Sequence, residues 1–392
     1  MRRMILACLV LAAADVSGAE FSIRRLAPEA SLARSGAVRV DHADLLYSTQ
    51  FVATGEGPLS AQQQELLDRL AATLQSAGLK FDDIIKLNLY VRNEQDIADI
   101  TAELSRRFNS SALPAVSWVV TTLPAADARL ALDFVAAHNP AQPPLKLPES
   151  KAGQRLLSLI PAATRARAFI SGQAEKGEGT VADSTKQTMA SLFRTLKFLE
   201  MKPADVVQVK VFIAPMTQVQ DSLGAVQAAF APGDCPPVVF VEWKSPSLPV
   251  EIELVAATSE PQPFGRPVVE YLAPPELKHS PVYSRIARVQ SPATIYFSGL
   301  YGSQADPDSE AELRDLFAQT KTLAEEAGSD LRHLLKATYY VSSKGSSDQH
   351  NKLRPEYYDP ARPPAASKAI VTGVGRPGRT ITWDMIAVPK GK

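Results

Sequence analysis

Cysteine is scarce in this sequence, in which only Cys8 and Cys235 occur among 392 residues. Cys8 lies in an N-terminal segment that we expect to be removed, and one remaining cysteine cannot form an internal disulfide. Packing must therefore hold the fold together. Cys235 has no histidine near it in the sequence, so we interpret it as a small residue in a proline-flanked loop and not as a nucleophile.

An excess of charge of one sign is also missing, since 42 acidic residues balance 42 basic ones. A protein that binds nucleic acid normally carries a basic surface, because contacts with phosphate dominate its affinity. We therefore expect no nucleic-acid partner.

Signatures of metal and cofactor binding are absent as well. The sequence has neither a phosphate-binding glycine loop nor a nucleophile elbow. Its histidines lack the spacing of metal ligands, so we predict no metal ion and no cofactor. The five histidines are His42, His138, His279, His333 and His350.

The only candidate membrane segment lies at the N-terminus and is short. Arg2 and Arg3 precede the apolar run Met4–Ala14, and small residues follow at Ser17 to Ala19. This is the arrangement of a secretory signal peptide, whereas a membrane anchor needs about 20 apolar residues. We expect residues 1–19 to be cleaved and the mature protein to be periplasmic or secreted, without membrane contact.

What the sequence does contain is a pattern that occurs three times. Its marker serines, Ser48, Ser171 and Ser298, lie 123 and 127 residues apart. Each copy is predicted to contain two strands, a helix, a strand, a helix and two final strands. The alternating strands after the first helix are Ile85–Val91, Val207–Val211 and Leu335–Val341, and the later proline-led strands open at Pro114, Pro236 and Pro364.

The first helix of each copy has a predicted start. Ser60, Ser184 and Ser309 are each followed three residues later by Gln or Glu, which is the spacing of a capping box. Apolar stripes continue each helix and predict its buried face. The stripes are Leu66, Leu70 and Leu74, then Leu192, Leu196 and Leu199, then Leu316, Thr320 and Leu323.

The alternating strand of the first copy has two different faces. Ile85, Leu87 and Leu89 are predicted to contact the helices, whereas Lys86 and Asn88 make the other face more polar. Such a face needs a partner, and three copies in one chain can supply one another. We therefore predict an α+β fold with both helices of a copy on one face of a mixed sheet. A closed three-fold arrangement is favoured over a two-domain or solenoid layout.

Proline-rich stretches set the predicted domain limits. Residues 138–148 and 259–281 have the composition of linkers. The predicted domains are then residues 20–137, 149–258 and 282–392.

The second copy carries a combination of motifs that resembles one known family. Phe169–Gln173, a capped helix, Ala204–Val211 and Val250–Ala256 resemble the reactive-intermediate deaminase (Rid, or YjgF) family. The first and third copies share this framework with weaker motifs. Members of the family are usually homotrimers of one chorismate-mutase-like domain, with small-molecule sites between subunits. The resemblance implies three such domains, closed as an intramolecular pseudo-trimer that is monomeric.

The resemblance also identifies a missing residue. In the deaminases, an arginine of the proline-led strand binds the carboxylate of a 2-imino or enamine acid while water attacks the imine carbon. A guanidinium suits this role because it forms two parallel hydrogen bonds. Here Val116, Val238 and Ala366 stand at that position, so we expect clefts without a guanidinium. The two clefts at Val116 and Val238 would be apolar. Either they are filled by core side chains, or they bind a planar or apolar ligand.

Other family positions point to one cleft between the second and third copies. Glu251 matches a glutamate that orients water or exchanges protons, and Tyr283 and Asn351 match residues of the family cleft. Lys368 shares a strand face with Ala366 and is a candidate carboxylate ligand.

The marker serines Ser171 and Ser298 are further candidate ligand-binding residues, and the ligand is expected to be a carboxylate or a planar metabolite. Metabolite binding without catalysis is the first hypothesis, and imine or enamine hydrolysis in the remaining cleft is the alternative. Ribonuclease activity, which some family members are labelled with, ranks third because of the neutral charge.

Overall fold

The structure is a computed structural model that describes residues 20–149, 152–244, 247–260, 265–278, 280–303 and 306–391. The predicted signal peptide, with Cys8, lies outside the described residues, and so does His279. Eighteen strands and six α-helices occur in the described residues. None of these helices combines the length and apolar character needed to cross a membrane.

The first copy begins with strands and contains two helices. Its first helix follows Pro58, whose fixed φ suits a helix start. No side chain caps this helix, so the capping box predicted at Ser60 is wrong. Gly78 ends the helix with a φ of 87°, which favours glycine. The elements are β1 (Ser22–Glu29), β2 (Arg34–Asp41), β3 (Asp44–Ser48), β4 (Phe51–Val52), α1 (Leu59–Ala77), β5 (Ile84–Val91), α2 (Ile97–Arg107), β6 (Ala115–Val120) and β7 (Leu130–His138).

The second copy has the same order of elements. Its first helix begins one turn before the predicted cap at Ser184, because the hydroxyl of Thr180 accepts a hydrogen bond from Asp183 N at 3.1 Å. The elements are β8 (Leu157–Ile160), β9 (Ala166–Gln173), α3 (Val181–Phe198), β10 (Val206–Ile213), α4 (Val219–Ala228), β11 (Val238–Glu242) and β12 (Val250–Thr258).

The third copy confirms one predicted cap and corrects one predicted linker. The hydroxyl of Ser309 accepts from Glu312 N at 3.0 Å, as the capping-box spacing indicates. Residues 259–281 contain a strand, which pairs with the next strand and is not a linker. The elements are β13 (Val269–Leu272), β14 (Ile286–Val289), β15 (Ala293–Phe297), α5 (Glu310–Glu326), β16 (Leu334–Val341), α6 (Lys344–Tyr357), β17 (Ala365–Ile370) and β18 (Ile381–Ala387).

Each copy contributes a similar three-stranded unit. The alternating strand pairs parallel with the proline-led strand and antiparallel with the last strand, giving β6-β5-β7, β11-β10-β12 and β17-β16-β18. A parallel pair needs a crossover connection, and the second helix of each copy provides it. The sheets are therefore mixed, as the sequence predicts.

Strand pairs also join the copies to one another. β8 pairs with β3, β14 with β9, and β2 with β15, so each of these pairs combines strands of two copies. The result is one sheet of twelve strands and one of six. Backbone hydrogen bonds therefore connect every copy to both of the others.

A β-bulge changes the predicted face of one residue. The pairing of β5 with β7 shifts after Ile84, so that Ile84 packs on the helix side and Ile85 faces the centre. The prediction that Ile85 shares a face with Leu87 is therefore wrong. The same shift occurs in β10 and β16, and Val207 and Leu335 join Ile85 in one central cluster.

The predicted helix stripes form the outer cores. Leu66, Leu70 and Leu74 are buried against Leu87 and Leu89 of the sheet. The second and third copies have equivalent clusters between their helices and strands. Complete burial of one such leucine stabilises the fold by about 1.5–3 kcal/mol.

The central face carries buried charges in addition to apolar residues. Lys86 Nζ lies 2.8 Å from Asp384 Oδ1, and Lys336 Nζ lies 2.5 Å from Glu253 Oε1. All four side chains are buried, and each pair joins two copies. An ion pair of this kind needs good geometry to offset its desolvation, so it favours one specific arrangement of the strands.

A third buried lysine belongs to the same centre. Burial by itself lowers the pKa of Lys210, but the carboxylates of Asp133, Glu253 and Asp384 outweigh burial, and the pKa is raised. The central face that the sequence indicated as polar is thus covered by the other copies.

Candidate functional site

A cavity of about 530 Å³ opens where β9 of the second copy meets β17 of the third. Gly172 N donates to Ser367 Oγ at 3.0 Å, and Ser171 N donates to Arg285 O at 2.9 Å. These bonds hold the two copies together at the edge of the cavity, which we call the β9–β17 cleft. Its polar and charged lining residues are Gln173, Glu175, Ser191, Glu251, Tyr283, Arg285, Tyr339, Arg354, Ser367 and Lys368.

Glu251 is the acidic group with the most altered ionisation in this cleft. Burial raises the pKa of Glu251 to about 7, and the nearby charge of Glu253 acts in the same direction. A hydrogen bond with Ser367 and the charge of Arg285 act in the opposite direction. A carboxyl group with such a pKa accepts and donates protons at neutral pH, which suits a general acid or base.

Arg285 brings a guanidinium close to Glu251. Its Cζ lies 5.0 Å from the centre of the Tyr283 ring, which positions the guanidinium by a cation–π contact. Arg285 Nε is buried and has no hydrogen-bond partner in the described part of the chain. Because Arg285 also lines the cavity, its guanidinium can meet an anionic ligand there.

Two further cations reach the cleft from the third copy. Lys368 Nζ donates to Ser347 Oγ at 2.8 Å and to Asn351 Oδ1 at 3.0 Å. Burial and the charge of Arg354 lower the pKa of Lys368 to about 8, although Asp348 opposes them. Arg354 lies on α6, and its Nε is buried without a hydrogen-bond partner among the described residues.

The guanidinium groups correct a prediction from the sequence. Val116, Val238 and Ala366 replace the family arginine, and Ala366 lines the cleft without offering a charge. Arg285 and Arg354 nevertheless supply guanidinium groups from the segment before β14 and from α6. The expectation of a cleft without a guanidinium is therefore wrong for the β9–β17 cleft.

The structure brings three of the predicted site residues together. Glu251, Tyr283 and Lys368 all line the β9–β17 cleft. Asn351 is exposed and contacts the site through its hydrogen bond with Lys368. The predicted role of Asn351 as a direct ligand is thereby reduced to that of a residue that positions the lysine.

The two marker serines do not line the cleft, in contrast to the prediction. Ser298 is buried at another junction, where its Oγ accepts from Val116 N at 2.7 Å and donates to Ser35 O at 2.6 Å. Ser171 is buried beside Gly172. These serines lie at junctions between copies and not in the ligand space.

The equivalent junction of the first and second copies is filled. Gln50 Nε2 donates to Phe240 O at 3.0 Å, and Phe240 N donates to Gln50 Oε1 at 3.2 Å. Ala131 stands at the position of Glu251 in the strand register. This junction therefore lacks a counterpart of the Glu251 carboxyl group.

The junction of the third and first copies has a cavity of about 450 Å³ with different chemistry. Thr382 stands at the position of Glu251, and its hydroxyl donates to Leu300 O at 2.8 Å. The guanidinium of Arg34 pairs with Glu29 at 2.7 Å. The β9–β17 cleft thus combines the Glu251 carboxyl group with the Arg285 guanidinium. At the junction of the third and first copies, a threonine replaces the glutamate and Arg34 is paired with Glu29.

The residues of the two predicted apolar clefts are core residues. Val116, Trp118, Val238 and Phe240 are buried in the outer cores. Cys235 is buried as well, and burial raises the pKa of its thiol to about 12. A nucleophilic thiolate is disfavoured under these conditions.

Two other features are not part of the site. The described residues contain no cluster of three or more His, Cys, Asp or Glu side chains that could hold a metal ion. A cavity of about 630 Å³ lies between α3 and α4, and alanines together with Thr180, Asp183, Lys186 and Asp221 line it. All of its lining residues belong to the second copy, and none of them lines the β9–β17 cleft.

Comparisons with known proteins identify the class to which this fold and site belong. The model of the family described as Endoribonuclease L-PSP matches residues 25–138 and 161–258. The chain therefore belongs to this family, the Rid or YjgF family, and the resemblance stated above is confirmed. The two matches lie in the first and second copies.

Several curated proteins are similar to part of the chain. A RutC family protein of Synechocystis is 29% identical over 82 residues, which are 21% of this chain and 63% of the relative. The 2-iminobutanoate/2-iminopropanoate deaminase of Escherichia coli is 31% identical over 90 residues, or 22% of this chain and 70% of the relative. A RutC family protein of Haemophilus influenzae is 34% identical over 92 residues, or 22% and 71%.

Solved structures of the family are also similar. A YjgF-family protein of Neisseria meningitidis matches 32% of this chain and 97% of its own, with 20% identity and a TM-score of 0.25. The YjgF gene product of Escherichia coli matches 23% of this chain and 80% of its own, with 20% identity and a TM-score of 0.22.

Proposed function

We propose that the β9–β17 cleft hydrolyses 2-imino acids, or their enamine tautomers, to 2-oxo acids and ammonia. The observation that carries this proposal is that Glu251, whose pKa is about 7, lines the same cavity as Arg285 and Arg354, which form no salt bridge with any carboxylate in the described part of the chain. The Escherichia coli relative is named as an imine deaminase, which supports the same reaction class.

The roles of the side chains follow from their chemistry. Arg285 binds the carboxylate of the imino acid through charge-assisted hydrogen bonds. Glu251 removes a proton from a water molecule, whose oxygen forms a bond to the imine carbon. The same carboxyl group returns this proton to the nitrogen, which gives a carbinolamine. The carboxylate then removes the proton of the carbinol hydroxyl and passes it to the nitrogen as the carbon–nitrogen bond breaks, so that ammonia leaves and the 2-oxo acid forms. One water is consumed for each imine, and no oxidant or cofactor is required.

Binding without turnover is the second candidate, and Ala366 favours it. This residue stands where the deaminases have their carboxylate-binding arginine, so the ligand would be held differently from their substrates. Under this candidate, the protein binds a 2-oxo or amino acid in the same cleft but does not accelerate imine hydrolysis.

An assay with freshly generated imines separates the two candidates. An amino-acid oxidase supplies the imine, and semicarbazide traps whatever has not been hydrolysed. Hydrolysis by the protein predicts a lower yield of semicarbazone and faster release of ammonia, both lost in Glu251→Gln. A semicarbazone yield that equals the protein-free control, together with a ligand-induced rise in melting temperature, would establish binding without turnover.

The architecture proposed for this function is an intramolecular pseudo-trimer of three domains, residues 20–137, 149–258 and 282–392, the last of them extended by β13. The three strand pairs between copies support it, as does the central cluster around Ile85 and Leu335. Light scattering should then give the mass of a single chain. A mass three times larger would contradict a monomeric pseudo-trimer.

Export is part of the proposal and rests on the N-terminal residues alone. A signal peptide ending at Ala19 places the hydrolase in the periplasm or outside the cell. Mass spectrometry of the protein from its native host should find a mature N-terminus close to residue 20. Retention of Met1 in the protein would contradict export by cleavage.

A further inference from the structure

The α6 side of the β9–β17 cleft contains positive charge that the proposed reaction does not use. Lys368 and Arg354 both line the cleft, and the charge of Arg354 acts on Lys368 directly. Hydrolysis of a simple 2-imino acid needs one carboxylate ligand, and Arg285 next to Glu251 provides it. Two additional cations are therefore unexplained.

The acidic residues of the surroundings only partly offset these two cations, because burial and the charge of Arg354 outweigh Asp348 and lower the pKa of Lys368. Asp348 pairs with Lys344 at the exposed side of α6, and Glu356 pairs with Arg314 at 2.8 Å. The Lys368 ammonium contacts neutral acceptors, Ser347 Oγ and Asn351 Oδ1.

His350 lies on the same face of α6 as Arg354, four residues away. It is fully buried, and burial together with the two neighbouring cations lowers its pKa well below the ordinary value, so it is neutral. Packed like-charged side chains with no counter-charge are unfavourable unless a ligand supplies one.

Positive charge is thus present in two separate groups. Arg285 precedes β14 and its Cζ lies 5.0 Å from the centre of the Tyr283 ring, whereas Lys368 is held by hydrogen bonds to Ser347 and Asn351 of α6, the helix that carries Arg354. The cavity of about 530 Å³ lies within the range of about 300–1,000 Å³ that is usual for small-molecule sites. A ligand with an anionic group at each end would bring one negative charge to each group.

We propose that the preferred substrates are imines of dicarboxylic amino acids, with one carboxylate bound by Arg285 and the second by Lys368 and Arg354. This inference rests on the proposed imine hydrolysis and names its substrate class. The imine of glutamate or aspartate reacts with one water, giving the corresponding 2-oxo dicarboxylate and ammonia.

The test compares imines generated from alanine, aspartate and glutamate by suitable oxidases. We expect kcat/KM for the dicarboxylic imines to exceed that for the alanine imine by about 10-fold or more, as one added charge-assisted contact implies. In Lys368→Met this ratio should fall by about 10-fold. Lys352→Met, which removes an exposed lysine of α6, should leave the ratio unchanged.

A ratio near one in the wild-type protein, or a ratio that Lys368→Met does not change, would overturn the inference while leaving imine hydrolysis intact. If no imine is hydrolysed, the proposed function fails. Titration calorimetry then tests the preference for dicarboxylates separately, by the binding of 2-oxo acids. 2-Oxoglutarate should bind at least about 10-fold more tightly than pyruvate, and equal affinities would overturn the inference.

Discussion

The carboxyl group of Glu251 lies directly against the α-carbon of Gly172. A Cβ at residue 172 would be 2.0 Å from Glu251 Oε1 and 2.4 Å from its Cδ. The other copies show the corresponding relationship. Gly299 faces Thr382, with 3.1 Å between a built Cβ and Thr382 Oγ1. In the first copy, Thr49 and Ala131 stand at the corresponding positions. Glycine at residue 172 therefore provides the space in which the carboxyl group of Glu251 lies.

Gly172→Ala should reduce imine hydrolysis with little effect on folding. The new methyl group would lie 2.0 Å from Oε1, 2.4 Å from Cδ and 2.6 Å from Cγ of Glu251, so the glutamate side chain must leave its present position. We expect kcat/KM to fall by about 10-fold or more, because general acid–base catalysis depends on position. Gly299→Ala is the matched control and should retain activity. Equal activity of wild-type protein and Gly172→Ala would show that this position of Glu251 is not required.

Arg285→Met should weaken substrate binding. A hydrogen bond to a charged group contributes roughly 1.5–3 kcal/mol, so we expect KM to rise by about 10-fold or more. Arg285→Lys should recover only part of this loss, because an ammonium lacks the planar fork. Steady-state kinetics measures the effect, with the exposed Arg106→Met as control. An unchanged KM in Arg285→Met would remove this arginine from the site.

Lys336→Met should destabilise the protein strongly. It leaves the buried carboxylate of Glu253 without its partner at 2.5 Å, and breaking a buried pair in this way costs about 3–5 kcal/mol. Lys352→Met breaks an exposed pair with Glu310 and should cost less than about 1 kcal/mol. Urea unfolding of both variants gives the comparison. Similar losses in the two variants would contradict a buried ion pair between copies.

Glu251→Gln should stabilise the fold increasingly as pH rises. The folded pKa of Glu251, about 7, lies above the ordinary value of a glutamate, so the folded state binds the proton more tightly. The protonated carboxyl group of Glu251 therefore stabilises the fold fully below the pKa that it has in the unfolded chain. This stabilisation is lost as the pH rises through about 7.

The free-energy difference between Glu251→Gln and the wild type should therefore grow by about 1–3 kcal/mol from about pH 4 to about pH 8. Urea unfolding at several pH values measures it, with the exposed Glu276→Gln as control. A difference that does not vary with pH would show that burial does not raise this pKa.

Periodicity made most of the fold predictable from the sequence. The stripe of Leu66, Leu70 and Leu74 and the alternation around Leu87 are local properties of one element, and the structure confirms them. The bulge after Ile84 was not predictable in this way, because it arises in the pairing with another strand. The capping-box pattern does not locate the start of α1, because Pro58, and not a residue with a side-chain hydroxyl, precedes this helix.

The site was predictable only where a strand position fixes the side chain. Glu251 and Lys368 lie on strands whose register could be compared between copies. Arg285 precedes a short strand, and Arg354 lies on an irregular helix that contains Pro355. Comparison at the family arginine position could not find either of them, because their approach depends on how the third copy packs against the second.

The most direct test of the account is the pH dependence of kcat/KM for imine hydrolysis, measured in parallel on wild-type protein and Glu251→Gln. Water activation requires the ionised carboxylate, so the wild-type rate should rise with pH through about 7. In the variant this rise should disappear, and the rate should be lower by about 100-fold or more. A wild-type profile that is retained in Glu251→Gln would contradict the assignment of Glu251 as the acid–base group of a single active cleft.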